Sequence, residues 1–291
     1  MDATPDIMDK LPGAEEQSIG AILVETGRLR AEDAQAVLHA QKARGGSFGD
    51  NALRLGLVTR DDIAFALARQ FDYPYLPEAN GVIDPSVVAA CQPFSTVVEH
   101  LRALRTQLAL RWFNTRVGRK TLAITGVGRG EGRSFVAANL AVVFAQMGAR
   151  TLLLDADLRQ ATQHRLFHVD NRLGLSNVLV GRAGSEAIVR IGALRNLYLL
   201  PAGPPPPNPQ ELLGRALFVR QLRTLESLFD VVLADTTAAE VAADGQIAAA
   251  ASGSALLVVR QDATDLERLS ALRATLDVSG SQVLGAVVNR L

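Results

Sequence analysis

The stretch KTLAITGVGRGEGRS, residues 120–134, decides the fold. KTLAIT (120–125) reads as a buried strand, GVGRGEGRS (126–134) as a glycine-rich loop, and VAANLAVVFAQMG (136–148) as a helix stopped by Gly148. Strand, glycine loop and helix in that order are the context that a phosphate-binding P-loop requires. Gly128, Gly130 and Gly132 let the chain turn with its amide hydrogens facing inward, and the helix end adds a partial positive charge of roughly 0.5 unit. Ser134 supplies a hydroxyl suited to magnesium. Arg133 stands where such loops normally carry lysine; it keeps the charge on a longer, planar group. The candidate nucleotide cradle is therefore Gly128, Arg129, Gly130, Glu131, Gly132, Arg133 and Ser134.

Carboxylates follow at the ends of the next strands. RTLLLDADL (150–158) presents Asp155 and Asp157 two residues apart, where both can converge on one magnesium ion, and within FDVVLADT (229–236) the strand DVVLAD ends in Asp235 after the pattern of a Walker B acid. The candidate metal set is Ser134, Asp155, Asp157 and Asp235. Further strands are NLYLLPAG (196–203), SALLVVR (254–260) and QVLGAVVN (282–289). Continuous apolar strands interleaved with helices imply an α/β fold: a parallel sheet covered on both faces, with ligands at the C-terminal ends of the strands.

The chain before residue 95 has a different grammar. IGAILVETGRLRAEDAQAVLHAQ (19–41) aligns with FGDNALRLGLVTRDDIAFALARQ (48–70) at a constant offset of 29. Each unit reads as a short helix stopped at a glycine, then a helix opened by acidic residues. The expected organisation is a disordered tail over 1–17, a two-repeat helical domain over 18–78, a proline- and glycine-bearing linker over 79–94 and an α/β domain over 95–291. Thirty basic residues balance thirty acidic ones, so there is no net field to draw nucleic acid. No apolar run reaches the roughly 18 residues of a bilayer span and no leader pattern opens the chain, which predicts a cytoplasmic location. One cysteine, Cys91, excludes an internal disulfide, and four scattered histidines make no metal cluster.

The motifs GRGEGRS, LLLDADLRQATQHRLF, NRLGLSNVLVG, LPAGPPPPNPQELL, FDVVLADT and QVLGAVVNRL resemble those of bacterial P-loop tyrosine kinases, in particular the group associated with chain-length determinants in exopolysaccharide loci. The resemblance runs from about residue 93 to the end. It implies a parallel-sheet P-loop NTPase domain of the deviant-Walker, MinD-like kind behind a small all-helical domain, with ATP and Mg2+ as cofactors and a protein tyrosine as substrate. It implies that Asp155 is the base that accepts the tyrosine proton, that Asp157 and Asp235 hold magnesium, that Arg133 steadies the phosphates, and that Asn289 contacts the nucleotide base. VEHLRALRT (98–106) matches the family's Glu-x-x-Arg-x-x-Arg pattern as Glu99, Arg102 and Arg105, which implies homo-oligomer contacts. On that helix Val97, Leu101, Leu104, Leu108 and Trp112 read as one apolar stripe with the three charged residues opposite. A membrane-bound chain-length determinant is the implied partner, recruiting the protein to the inner membrane.

The helical repeat resembles the N-terminal domain of type II secretion ATPases, some of which bind cyclic di-GMP through an arginine before each unit. Ser18 and Ser47 hold those places here, which puts cyclic di-GMP binding in doubt. Two further departures stand out. Family members carry a tyrosine-rich tail, whereas the tyrosines here are Tyr73, Tyr75 and Tyr198; and Thr237 replaces the proline that follows the Walker B threonine. A nucleotide-binding adaptor with little catalysis and a MinD-type ATPase switch remain as alternatives. The switch class needs a lysine early in its loop, at the place of Gly128.

Overall fold

The computed structural model describes residues 18–71, 81–113, 119–192 and 194–290. The chain forms two compact units, Met1–Tyr75 and Leu76–Leu291; Tyr73 and Tyr75 lie outside the described residues.

The first unit holds the repeat as four helices, α1 (Ile19–Glu25), α2 (Ala31–Arg44), α3 (Phe48–Arg54) and α4 (Arg60–Gln70). Gly27 and Gly56 end α1 and α3 at φ of 70° and 67°, a region costly for any residue with a Cβ. Ile22, Leu23, Leu29, Val37, Ala52, Val58 and Ala66 form the core. Ser18 and Ser47 cap α1 and α3, their hydroxyls accepting the Ala21 and Asp50 amides at 3.3 and 3.1 Å. These hydroxyls are thus spent on helix ends.

The second unit runs α5 (Val88–Cys91), α6 (Thr96–Leu108) extended by a π-helical turn (Ala109–Phe113), β1 (Thr121–Thr125), α7 (Arg133–Gln146), β2 (Thr151–Asp155), α8 (Gln163–Leu166), α9 (Leu175–Leu179), β3 (Val189–Arg190), β4 (Leu197–Leu200), α10 (Pro209–Leu213), α11 (Ala216–Leu228), β5 (Val231–Asp235), α12 (Asp244–Ser252), β6 (Ser254–Arg260), α13 (Leu266–Val278) and β7 (Gln282–Asn289). The strands lie in the order β3-β4-β2-β5-β1-β6-β7, parallel except for β3, which runs antiparallel to β4. One face packs on α5, α6 and α7, where residues 136–145 are all buried; the other packs on α9, α11 and α12. β5 lies between β1 and β2, with Asp235 paired to both Ile124 and Asp155. The C-terminal ends of these three strands therefore meet at one place, below the loop that follows β1.

Three sequence expectations change. Most of 79–94 is described, and it packs in the second unit instead of forming a free linker. Ile83, Val87, Ala89, Ala90 and Cys91 lie in the core, and the Asn139 side chain of α7 accepts the Ala89 amide at 2.8 Å and donates to the Ser86 carbonyl at 3.1 Å. On α6 the buried stripe begins at Val98, with Val97 43% exposed. Arg105 lies on the stripe side, half-buried, its Nη1 donating to the Val143 carbonyl at 3.1 Å; steps of three and four from Val98 reach Leu101, Arg105, Leu108 and Trp112. Of the three charged residues expected opposite the stripe, only Glu99, paired with Arg102, is exposed. Finally, β7 is an edge strand with no fully buried residue, although its sequence is as apolar as that of the central strands.

Candidate active site

The loop between β1 and α7 owes its shape to three glycines. Gly130 and Gly132 adopt φ of 71° and 93°, while a Cβ on Gly126 would lie 2.6 Å from the Val258 carbonyl oxygen. Gly126 is thus required for close packing and Gly128 has no positive φ, which corrects the expected trio. Arg133, the first residue of α7, folds back on the loop: its Nε donates to the Thr236 carbonyl at 3.1 Å and its Nη1 to the Gly128 carbonyl. Glu131 points inward, buried, accepting the Thr264 hydroxyl at 2.7 Å. Asn289 comes from the end of β7 and donates to the Glu131 carbonyl at 3.0 Å, so its side chain braces the loop. Arg129 is exposed, and its amide is taken by the Glu240 carboxylate at 2.6 Å.

Asp155 and Asp235 are fully buried neighbours across β2 and β5. Asp155 accepts three backbone amides, from Asp157 at 3.2 Å and from Thr162 and Gln163 at 3.0 Å each. Burial, and then the charge of Asp235, push its proton affinity well above the usual carboxylate range. Asp235 accepts the Gln163 amide group at 2.7 Å and the Ser134 hydroxyl. Burial raises it to about 6 against the opposing pull of those donors and of Arg133. Asp157 is half-buried beyond the strand end and accepts the amides of Arg159 and Gln160 and the Thr237 hydroxyl.

The structure thus gathers Arg133, Ser134, Asp155, Asp157 and Asp235 around the loop. It leaves Glu99, Arg102 and Arg105 on α6, outside this constellation. Gln163 was missed by sequence reasoning: its side chain bridges Asp235 and the Ser134 carbonyl while its amide holds Asp155. No spacing rule marks a lone glutamine at the start of a one-turn helix. Arg159 and Asp244 were missed as well; a bidentate ion pair between them, at 2.7 and 3.3 Å, ties the loop after β2 to the start of α12.

Residues 122–291 match the family model of the CobQ/CobB/MinD/ParA nucleotide binding domain. The tyrosine-protein kinase YwqD of Bacillus subtilis is 35% identical over 70% of this chain and 85% of its own length. The chain belongs to the bacterial tyrosine-protein kinases. The kinase domain of the Escherichia coli tyrosine kinase ETK superposes on this bacterial tyrosine kinase with a TM-score of 0.67 at 32% identity, over 70% of this chain and 80% of that one. The septum site-determining protein MinD of Pyrococcus horikoshii, solved with Mg-ADP, shares the fold at a TM-score of 0.51 and 25% identity, over 59% of this chain and 70% of that one.

Proposed function

We propose that the chain is an ATP-dependent protein-tyrosine kinase that regulates exopolysaccharide chain length, polymerisation or export. The observation that carries this reading is the pair of buried carboxylates, Asp155 and Asp235, on adjacent strands directly below a P-loop whose helix begins with Arg133 and Ser134.

The donor set fits magnesium and nucleotide. Asp235 Oδ1 is buried with no hydrogen-bond partner among the described residues. Two carboxylates and a hydroxyl are the hard oxygen donors that this ion prefers. Gly130 and Gly132 add no side chains of their own to the cradle: a Cβ on Gly130 would stand in open space, and one on Gly132 would meet Asn289 Nδ2. Ser134, Asp157 and Asp235 would hold the ion, which when bound neutralises charge on the terminal phosphates.

The chain's own residues do the rest. Loop amides and Arg133 orient the triphosphate, and Asn289 keeps the loop in shape. Asp155 takes the proton of the tyrosine hydroxyl as its oxygen attacks the terminal phosphorus, and ADP leaves. A base needs a proton affinity near the working pH, and burial beside Asp235 moves Asp155 in that direction. Asp155 is also fully enclosed while Asp157 is half-buried, so the experiment compares the two. Glu99 and Arg102 contribute to self-association through α6, with Arg105 fixing that helix to α7. A membrane-bound chain-length determinant recruits the protein; no described helix is long and apolar enough to cross a membrane. Tyr198 is packed edge-on against Phe229 at 5.2 Å, which makes it a poor acceptor.

The test is to incubate the purified chain with ATP and magnesium, with and without the cytoplasmic segment of a candidate membrane partner, and map phosphotyrosine by mass spectrometry. Asp155→Asn removes transfer and retains ATP binding if Asp155 is the base. Loss in Asp157→Asn with transfer retained in Asp155→Asn moves that role to Asp157. ATP binding without phosphotyrosine under either condition replaces the kinase reading with an adaptor or switch.

A further inference from the structure

Thr237 departs from the family pattern, and its place in the structure gives that departure a role. It follows Asp235 and Thr236 in the loop after β5 and is 2% exposed. Its hydroxyl donates to Asp157 Oδ1 at 2.9 Å. The same oxygen accepts the amides of Arg159 at 3.2 Å and Gln160 at 2.9 Å. Those two amides belong to Asp157's own turn. Thr237, 80 residues further along the chain, is the donor that reaches this carboxylate from another element.

The loop that carries Thr237 is itself fixed. The Thr236 hydroxyl donates to the Ile124 carbonyl of β1 at 2.9 Å, and its carbonyl accepts Arg133 Nε. A Cβ on Gly245 of α12 would lie 2.6 Å from the Thr237 carbonyl oxygen, so α12 packs closely on it. A donor on such a loop defines a direction for the carboxylate it holds. Three donors on Oδ1 leave Oδ2 as the oxygen for a cation, since an ionised carboxylate only accepts. A proline at this position has no side-chain donor to offer.

We infer that Thr237 is a positioning residue that orients Asp157 for magnesium and couples the aspartate after β2 to the one that ends β5. The inference rests on the reading of Asp157 as a magnesium ligand. Loss of the hydroxyl leaves the turn and its two amide bonds to Oδ1 intact but removes the donor that fixes the carboxylate against the loop after β5, so the cost falls on magnesium-dependent nucleotide binding and not on nucleotide binding as such.

The experiment titrates magnesium against the binding of a fluorescent ADP analogue to the full chain and to Thr237→Val, Thr237→Ser, Asp157→Asn and the Thr237→Val/Asp157→Asn double variant, with thermal melts in EDTA as the check on folding and Thr237→Ala as a replacement should valine unfold the protein. Thr237→Val raises the magnesium concentration for half-maximal binding about tenfold, the effect of one hydrogen bond to a charged group. Thr237→Ser restores the wild-type requirement, binding in EDTA is unchanged, and the double variant is no worse than Asp157→Asn. A wild-type requirement in Thr237→Val, equal losses in valine and serine, or a full additional loss in the double variant overturns the inference. If Asp157→Asn itself leaves the magnesium requirement unchanged, the assignment of Asp157 fails and the inference falls with it.

Discussion

Replacing Asp235 with asparagine should make the metal-free protein more stable while disabling its site. The folded protein holds Asp235 at about 6 where the ordinary value is 3.8. A shift of that size corresponds to about 3 kcal/mol, at about 1.4 kcal/mol for each tenfold change in proton affinity. At low pH the carboxyl is protonated in both folded and unfolded chains, and the full stabilisation is present. Between about pH 4 and about pH 6 the folded protein keeps a proton that the unfolded chain has released, so stability falls as pH rises. Above that window the whole cost is incurred. The asparagine variant carries no such slope from this position. Its amide also accepts less strongly from Gln163 and Ser134, so the net gain near neutral pH is about 1 to 3 kcal/mol, or a rise in melting temperature of about 2–4 °C per kcal/mol for a unit of this size.

Thermal melts in EDTA at about pH 4.5 and about pH 7.5 read both quantities, and the difference in slope between the two proteins reports Asp235 together with Asp155, whose proton affinity its charge raises, while titrating groups away from this pair cancel. An equal slope in Asp235→Asn, or lower stability than wild type near neutral pH, refutes the reasoning. The same variant should lose magnesium-dependent nucleotide binding, the usual exchange of stability for function at a site that buries like charges.

Other substitutions probe other parts of the site. Glu240→Gln removes a negative charge bonded to the Arg129 amide and should tighten nucleotide binding about fivefold, as expected for roughly 1 kcal/mol of relieved repulsion at a solvated site; unchanged or weaker binding in a nucleotide titration contradicts this. Gly132→Ala places a Cβ 2.1 Å from Asn289 Nδ2 at φ of 93°, and should cost about 2 kcal/mol and abolish nucleotide binding. Adding Asn289→Ala relieves the clash but not the backbone strain, so the double variant should recover only part of the melting temperature. Asn139→Ala leaves the Ala89 amide and the Ser86 carbonyl unpaired, and should cost about 2–4 kcal/mol and expose residues 81–94 to limited proteolysis.

The strands, the loop and the three aspartates were legible because each is a local pattern: an apolar run, glycine spacing, an acid at a strand end. What the sequence hid depends on tertiary contacts. The two prolines and the glycine of 79–94 look like a linker until Asn139 of α7 supplies partners for the Ala89 amide and the Ser86 carbonyl. Val97 and Val98 are interchangeable by composition, and only the packing of α6 on α7 selects one. Gln163 is a common polar residue until folding brings it against Asp235. β3, two residues long and antiparallel, has no periodicity to read. Gly126 is one glycine among four in the loop until β6 passes beside it.

Arginine in place of the loop lysine is best understood from its bonds. A lysine ammonium is a single point with three donors, whereas guanidinium offers five on a rigid fork. In this chain two of its three nitrogens serve the protein: Nε holds the loop after β5 through Thr236, and Nη1 holds the P-loop through Gly128. Glu131, buried at 3.7 Å, balances part of the charge. The remaining nitrogen, Nη2, makes no hydrogen bond among the described residues, which leaves two donors for the phosphate contact proposed for Arg133. One residue thereby locks the loop to the strand that carries Asp235 and still presents a permanent cation. The Thr236 carbonyl that Nε holds belongs to the segment whose next residue orients Asp157. Arg133 and Thr237 therefore act on the same short loop from opposite ends, a pairing that lysine and proline could not reproduce, and the two departures from the family pattern are parts of one structural arrangement.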